Sequence, residues 1–370
     1  MKTSESINKE KTKVGILTLP FNANYGGVLQ AYALQTYLIK LGYDTTHIYR
    51  DFPEKNKLTQ LAKDIVKLLL GRSIRRAIEG RNLARFFKEY VAPRTNRIRT
   101  KSDFKCIEKY GFTTIIVGSD QVWRKACIYG DLKMNYFLDF VDGKVNKMTY
   151  AASFGIDEWQ YDEDETREIR KHIKEFQAVS LREKSGVELC EKYLGADAEH
   201  VVDPVMLLSA DDYVEVVNKE QATIKGDCLV YLLDKTDEKQ AIVKDISDRF
   251  GYTPFSVNQS KRKWGLKVKP SVVSWLRGFY EAKFVVTDSF HGCVFSIIFN
   301  KPFLIIGNKE RGIARFISVL NDFGLEGRMI TSGNDNYISI VEEPVQWDEV
   351  NRKLKQKRSE ATHFLTSFIR

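Results

Sequence analysis

The sequence predicts an α/β protein of two doubly wound domains that face each other across a cleft, with a long helix at the C-terminal end. Three observations carry this expectation. Short apolar runs of strand length alternate with helical patterns in both halves of the 370 residues, as parallel sheets with helical crossovers require. A polar stretch, Ser209 to Asp227, shows little apolar periodicity beyond one short helix and divides the two series. Several apolar runs end in small polar clusters, and open α/β sheets bind ligands beyond the carboxyl ends of their strands. The expected boundaries are 1–208 for the first domain, 209–227 for a linker, 228–345 for the second domain and 346–370 for the terminal helix.

In the first half, Val14 to Leu19 is an apolar run of the kind buried on both faces of a sheet. The loop Pro20 to Gly27 and a helical run from Val28 to Leu41 follow it. Gly26 and Gly27 leave room for a ligand or for the next helix, and both readings stay open. The spacing is not GxGxxG, so the dinucleotide fingerprint is absent. Asp44 to Tyr49 is a second strand, and helices are expected from Leu58 to Tyr90, with a break near Gly71. Thr113 to Val117 is a β-branched strand that ends in Gly118-Ser-Asp-Gln-Val-Trp123. Asp120 suits a sugar hydroxyl and Trp123 a sugar ring; equally, Ser119 or Asp120 suits a helix cap. Strands at Lys147 to Ser153, Ala178 to Leu181 and His200 to Val202, with helices at 164–176 and 185–194, complete the half.

The second half repeats the alternation. Strands are expected at Cys228 to Leu233, Thr253 to Val257, Phe284 to Val286 and Phe303 to Ile306. Helices are expected at Lys235 to Phe250, Val272 to Tyr280, Gly312 to Phe323 and Trp347 to Ile369. The stretch from Phe284 to Gly307 is the most informative. Thr287, Asp288 and Ser289 close a strand and suit the N-cap of the next helix, in whose first turn His291 falls. The positive end of a helix dipole disfavours a charged imidazole there. His291 reads either as a reactive group or as a hydrogen-bonded residue at a helix start.

Composition narrows the function classes. Hydrophobic residues make up 43% and charged residues 29%, an ordinary globular balance. The five cysteines are scattered, odd in number and without a CxxC pair, which predicts reduced thiols in a cytoplasmic protein. Met1 to Lys11 is polar and charged, unlike a signal peptide, and no apolar run approaches the ~20 residues of a membrane span. No metal site is expected, since there is no HExxH and no paired cysteines. There is no GxSxG elbow, no phosphate-binding P-loop and no nucleic-acid-binding motif. Of the net charge of +9, the window from Lys55 to Lys88 alone carries +8, through ten basic and two acidic residues. With Leu58, Leu61, Ile65, Leu68 and Leu69 at helical steps, that window suits an anionic membrane surface or ligand, or a core-facing helix with a solvated basic back.

Six segments occur in order: Asn24-Tyr-Gly-Gly-Val-Leu-Gln-Ala-Tyr-Ala-Leu-Gln35, Val117-Gly-Ser-Asp-Gln-Val-Trp123, Tyr150-Ala-Ala-Ser-Phe-Gly155, Ser180-Leu-Arg-Glu-Lys-Ser-Gly186, Val202-Asp-Pro-Val205 and Thr287-Asp-Ser-Phe-His-Gly292. Together they resemble the polysaccharide pyruvyl transferase family, over about residues 13 to 325. The resemblance implies a GT-B-like pair of Rossmann-like domains. It implies transfer of pyruvate from phosphoenolpyruvate, as co-substrate and without a further cofactor, onto a sugar as a cyclic ketal. The acceptor would be a cell-surface polysaccharide or its lipid-linked precursor, at the cytoplasmic face of the membrane. The family's usual Arg-Leu-His reads Ser289-Phe290-His291 here, so the histidine is present and the arginine is not.

On that resemblance His291 is the expected acid–base residue, and Arg182 is expected to hold the donor's anionic groups. Ser289 and Gly292 would assist at the helix start, with Lys309 and Arg311 supplying further positive charge. Asn24, Tyr25, Gly26, Asp120 and Trp123 are expected to face the acceptor sugar. The same fold and basic residues would also serve a GT-B glycosyltransferase with a nucleotide-sugar donor.

Overall fold

The computed structural model describes residues 11–52, 78–128, 130–221, 223–257, 261–263, 266–307, 312–333 and 336–370. Most of the basic window from Lys55 to Lys88, together with Lys309 and Arg311, lies outside the described residues.

Two five-stranded parallel sheets dominate. The first contains β1 (Lys13–Leu17), β2 (Asp44–Ile48), β3 (Thr114–Val117), β4 (Asn146–Thr149) and β5 (Phe176–Ala178), in the order β2-β1-β3-β4-β5. A short pair, β6 (Ser180–Leu181) and β7 (Glu199–His200), continues from its carboxyl edge, because Ala152 bridges both Asp120 and Leu181. The second sheet is built from β8 (Cys228–Tyr231), β9 (Pro254–Phe255), β12 (Phe284–Thr287), β13 (Phe303–Ile306) and β14 (Met329–Ile330). Its order, β14-β13-β12-β8-β9, is the same winding read from the other edge, the first strand again lying between the second and the third. A hairpin of β10 (Lys261–Lys263) and β11 (Leu266–Val268) projects from this half and was not expected from the sequence.

The central strands are apolar on both faces because helices cover both. The longer helices are α1 (Tyr25–Lys40), α2 (Arg81–Tyr90), α3 (Glu163–Ile173), α4 (Ala210–Val217), α5 (Asp237–Phe250), α6 (Val272–Glu281), α7 (Phe290–Ile298), α8 (Ala314–Phe323) and α9 (Trp347–Phe368). Their starts follow capping rules. Asn24 accepts from the Gly26 amide, Ser271 from Ser274, Thr236 from Lys239 and Ser289 from Gly292.

The segment expected as a linker, 209–227, opens with a packed helix. Ser209 and Asp212 form a capping box, Tyr213, Val216 and Val217 of α4 are buried, and the Tyr213 hydroxyl donates to the Val205 carbonyl at 2.8 Å. The long C-terminal helix α9 follows the second sheet in sequence but returns to the first half. Arg358 donates to the carbonyls of Met206 and Leu208 at 2.6 Å, and the Arg370 carbonyl accepts from Thr114 at 2.8 Å. One apolar cluster runs through both halves, from Val14 and Leu29 to Trp275 and Phe295. The halves therefore share a core.

Candidate functional site

In this winding the crevice lies where the chain leaves two adjacent strands in opposite directions, between β1 and β3 in one sheet and between β8 and β12 in the other. Both crevices open towards each other. The loop after β1 brings Asn24, the turn after β3 brings Asp120 and Arg124, and the turn after β12 brings Ser289 and His291. Together with Lys269 and Arg315 they line a cleft of about 770 Å³. Asp120 takes a left-handed conformation (φ 75°) at the tip of its strand, which turns its carboxylate into the cleft.

His291 sits in the first turn of α7, only 8% exposed. Its ring lies on the α-carbon of Gly26 across the interface, and a β-carbon on Gly26 would overlap Nδ1. Nε2 makes no hydrogen bond and lies 3.8 Å from Asp203 Oδ2. Burial lowers the imidazole pKa, Asp203 and Asp120 oppose that, and Arg182 and Arg315 reinforce it; the net direction is down. The imidazole is therefore neutral near pH 7 and stands next to two carboxylates that would stabilise its charged form.

Arg182 organises this network from beneath. Its guanidinium is fully buried, donates to Asp203 at 2.8 Å and Asp120 at 3.3 Å, and lies 3.9 Å from Glu183. Burial works against its charge, but the three carboxylates outweigh burial and raise its pKa. Arg182 and Arg315 both raise the potential at Asp120, so that its carboxyl stays below the usual range despite burial. The Phe290 ring lies against both guanidiniums, 4.9 Å from Arg182 and 5.5 Å from Arg315.

These positions correct several expectations. Arg182 has no exposed side-chain surface and cannot grip a donor; it positions the carboxylates that surround His291. Trp123 is also fully buried, stacks on Phe137 at 5.5 Å and donates its indole N–H to the Tyr136 carbonyl, so it presents no ring to a sugar. Tyr25 lines the cleft but is only 3% exposed. It stacks on Trp275 at 5.3 Å and donates to the Pro270 carbonyl, acting as a strut between the halves. The Gly292 amide is taken by the Ser289 hydroxyl. Asp288 holds the amides of Leu233 and Asp234 and the ammonium of Lys239. Asn24, Asp120, Ser289 and His291 do come together in the cleft, with Gly26 beneath the imidazole.

Sequence reasoning missed Arg124, Arg315, Lys269 and Asp203. Arg124 directly follows Trp123 in a segment already singled out, and Asp203 lies in the quoted Val202-Asp-Pro-Val205. Lys269 and Arg315 carried no local signal. Lys269 bonds the Ala23 carbonyl across the cleft, and Arg124 donates to Gln121. Burial, then the neighbouring Arg182, lowers the Arg315 pKa to about 10. The helix starts agree with the cation count. The helices α1, α7 and α8, which begin at the cleft, carry no acidic residue in their first turn. In contrast α3, α4, α5 and α9, which begin elsewhere, carry two or three each. Acids normally complement the helix dipole, and their absence here leaves three positive helix ends aimed at one cavity.

A family model described as Polysaccharide pyruvyl transferase matches residues 24–310. No curated protein matches the chain. Among solved structures, a protein assigned as a UDP-N-acetylglucosamine 2-epimerase from Listeria monocytogenes aligns with a TM-score of 0.53 at 11% identity, covering 96% of this chain and 95% of that one. A UDP-N-acetylglucosamine 2-epimerase from Rickettsia bellii aligns with a TM-score of 0.51 at 10% identity, covering 97% of each chain. Likeness at such low identity shows the fold, a GT-B pair of Rossmann-like domains.

Proposed function

The chain belongs to the polysaccharide pyruvyl transferase family, and from that premise we propose that it transfers the pyruvyl group of phosphoenolpyruvate onto two hydroxyls of a sugar, forming a ketal in the cleft around His291. The observation that carries this reading is a buried imidazole in a cavity lined by Arg124, Arg315 and Lys269 and by three helix starts without acids. Such a cavity favours a small polyanion beside a proton-transfer group.

In this reaction the first hydroxyl adds to C2 of the enol phosphate while C3 receives a proton and becomes a methyl group. The bond from C2 to the phosphate oxygen then breaks, and the second hydroxyl bonds to C2. Of the two hydroxyl protons, one ends on the methyl group and the other leaves with inorganic phosphate. His291 takes the first proton because it rests neutral, and Asp203, 3.8 Å from Nε2, stabilises the imidazolium that forms. Arg124 and Arg315 hold the donor's carboxylate and phosphate, for which guanidinium forks are suited. Lys309 and Arg311 are assigned to the same task from sequence. Asn24 and Asp120 take the acceptor hydroxyls. Acceptors on a lipid carrier would call for surface affinity, which the basic window from Lys55 to Lys88 suits. Among the described residues no helix is long and apolar enough to cross a membrane.

A melting series tests the donor. Phosphoenolpyruvate should raise the melting temperature, and Arg315→Met should abolish the rise. Stabilisation by nucleotide sugars and not by phosphoenolpyruvate would replace this reading with glycosyl transfer.

A further inference from the structure

A second cavity, of about 600 Å³, opens on the other side of Lys269, which lines both it and the cleft. Arg81 and Arg85 of α2 form one wall, Lys219 another, and the turn into α6 a third. Two acids also line it. Glu220 accepts from the Ser271 hydroxyl at 2.8 Å, and Glu89 lies 3.9 Å from Arg85.

The helix ends give this cavity a sign. Gly80, the N-cap of α2, makes no side-chain cap bond, and the first turn of α2 carries Arg81 and no acid. The first turn of α6 likewise carries none. Arginine at the positive end of a helix opposes the dipole and costs local stability. Two such helix starts converge here with three cationic side chains, those of Arg81, Arg85 and Lys219, and the only other helices of eight or more described residues that begin without acids are the three at the cleft.

We propose that this second cavity is a subsite for an anionic group of the acceptor, a phosphate or a sugar carboxylate adjoining the unit that meets His291. The assignment of the ligand as an acceptor rests on the pyruvyl-transfer reading above. Lys269 links the two sites: its ammonium bonds the Ala23 carbonyl at 2.7 Å on the cleft side, while its own carbonyl accepts from Asn82 of α2. An acceptor lying across it would have its reacting sugar at His291 and its anionic neighbour between α2 and α6. The subsite would select charged glycans over neutral ones.

The test uses the full chain and three probes: inorganic pyrophosphate, trigalacturonate and neutral maltotriose, titrated calorimetrically at low salt with phosphoenolpyruvate saturating. Arg81→Glu with Arg85→Glu reverses two exposed charges, and Lys219→Glu provides an independent variant on another segment. Each is expected to weaken pyrophosphate and trigalacturonate about tenfold or more, with maltotriose unaffected. The stronger of the two anions identifies phosphate or carboxylate as the group recognised. The proposal is overturned if both variants bind the anions as the wild type does, or if the wild type binds them no better than maltotriose. Phosphoenolpyruvate is titrated separately. Its failure to bind, with pyrophosphate binding still sensitive to Arg81 and Arg85, would remove the donor reading and leave the anion subsite standing.

Discussion

The imidazole of His291 rests on the bare α-carbon of Gly26, so that one half of the molecule supplies the ring and the other the floor it lies on. Gly26→Ala would force the ring aside. Overpacking of this kind costs ~1–3 kcal/mol, and a displaced reactive group about 10² in turnover. The expected outcome is a folded protein with a modestly lowered urea midpoint and a collapse in kcat. Full activity in Gly26→Ala would mean that the ring position does not matter.

His291 has its pKa lowered below 6.5 by burial. Its contribution to stability is therefore complete above the unfolded value and is lost as pH falls through the lowered folded value. Binding of an anionic donor should raise that pKa and draw in a proton. Calorimetry in two buffers of different ionisation enthalpy should show proton uptake for the wild type just below pH 6.5 and none for His291→Asn.

His291→Asn should also cut turnover about 10²-fold or more while retaining the fold. Phosphate release from phosphoenolpyruvate in the presence of acceptor is the readout. Near wild-type turnover would remove His291 from the mechanism.

Arg182→Met removes the charge shared by Asp120, Asp203 and Glu183, all of which lie in or beside the buried network. Stranding buried carboxylates costs ~3–5 kcal/mol. Urea unfolding should show a loss of that size, and donor affinity of the remaining folded fraction should change far less than in Arg315→Met. A large affinity loss with unchanged stability would return Arg182 to the role of a donor ligand.

Trp123→Phe tests the other buried candidate. It removes the indole hydrogen bond to the Tyr136 carbonyl, for ~0.5–1.5 kcal/mol, and should leave the acceptor KM unchanged. An acceptor KM that rises without loss of stability would show that the indole meets the sugar.

The basic window is tested by vesicle sedimentation. Each Lys or Arg near an anionic leaflet is worth ~1 kcal/mol and is screened by salt. Binding to anionic vesicles should weaken as salt rises and vanish on reversing Arg72, Arg75 and Arg76 to Glu. Equal binding to neutral vesicles would leave the window a solvated surface.

Three things were determined by the sequence alone. Runs such as Thr114–Val117 and Phe284–Thr287 are strands because continuous apolarity of that length fits a strand buried on both faces, a property of the segment itself. The cap at Ser289 starts a helix for an equally local reason, an acceptor oxygen within reach of an amide three residues on. The ordered set of motifs was enough for the family. Tertiary structure decided which polar residues meet the cleft. Arg182, Asp120 and His291 all stand at strand ends and read alike in sequence, yet Asp120, Asp203 and Glu183 close around Arg182 and bury it, while Arg315 and Lys269, from segments with no signal of their own, reach the cleft wall. Burial of a charge depends on partners that arrive from far along the chain, and only the folded arrangement sets which charges neutralise one another and which face a ligand.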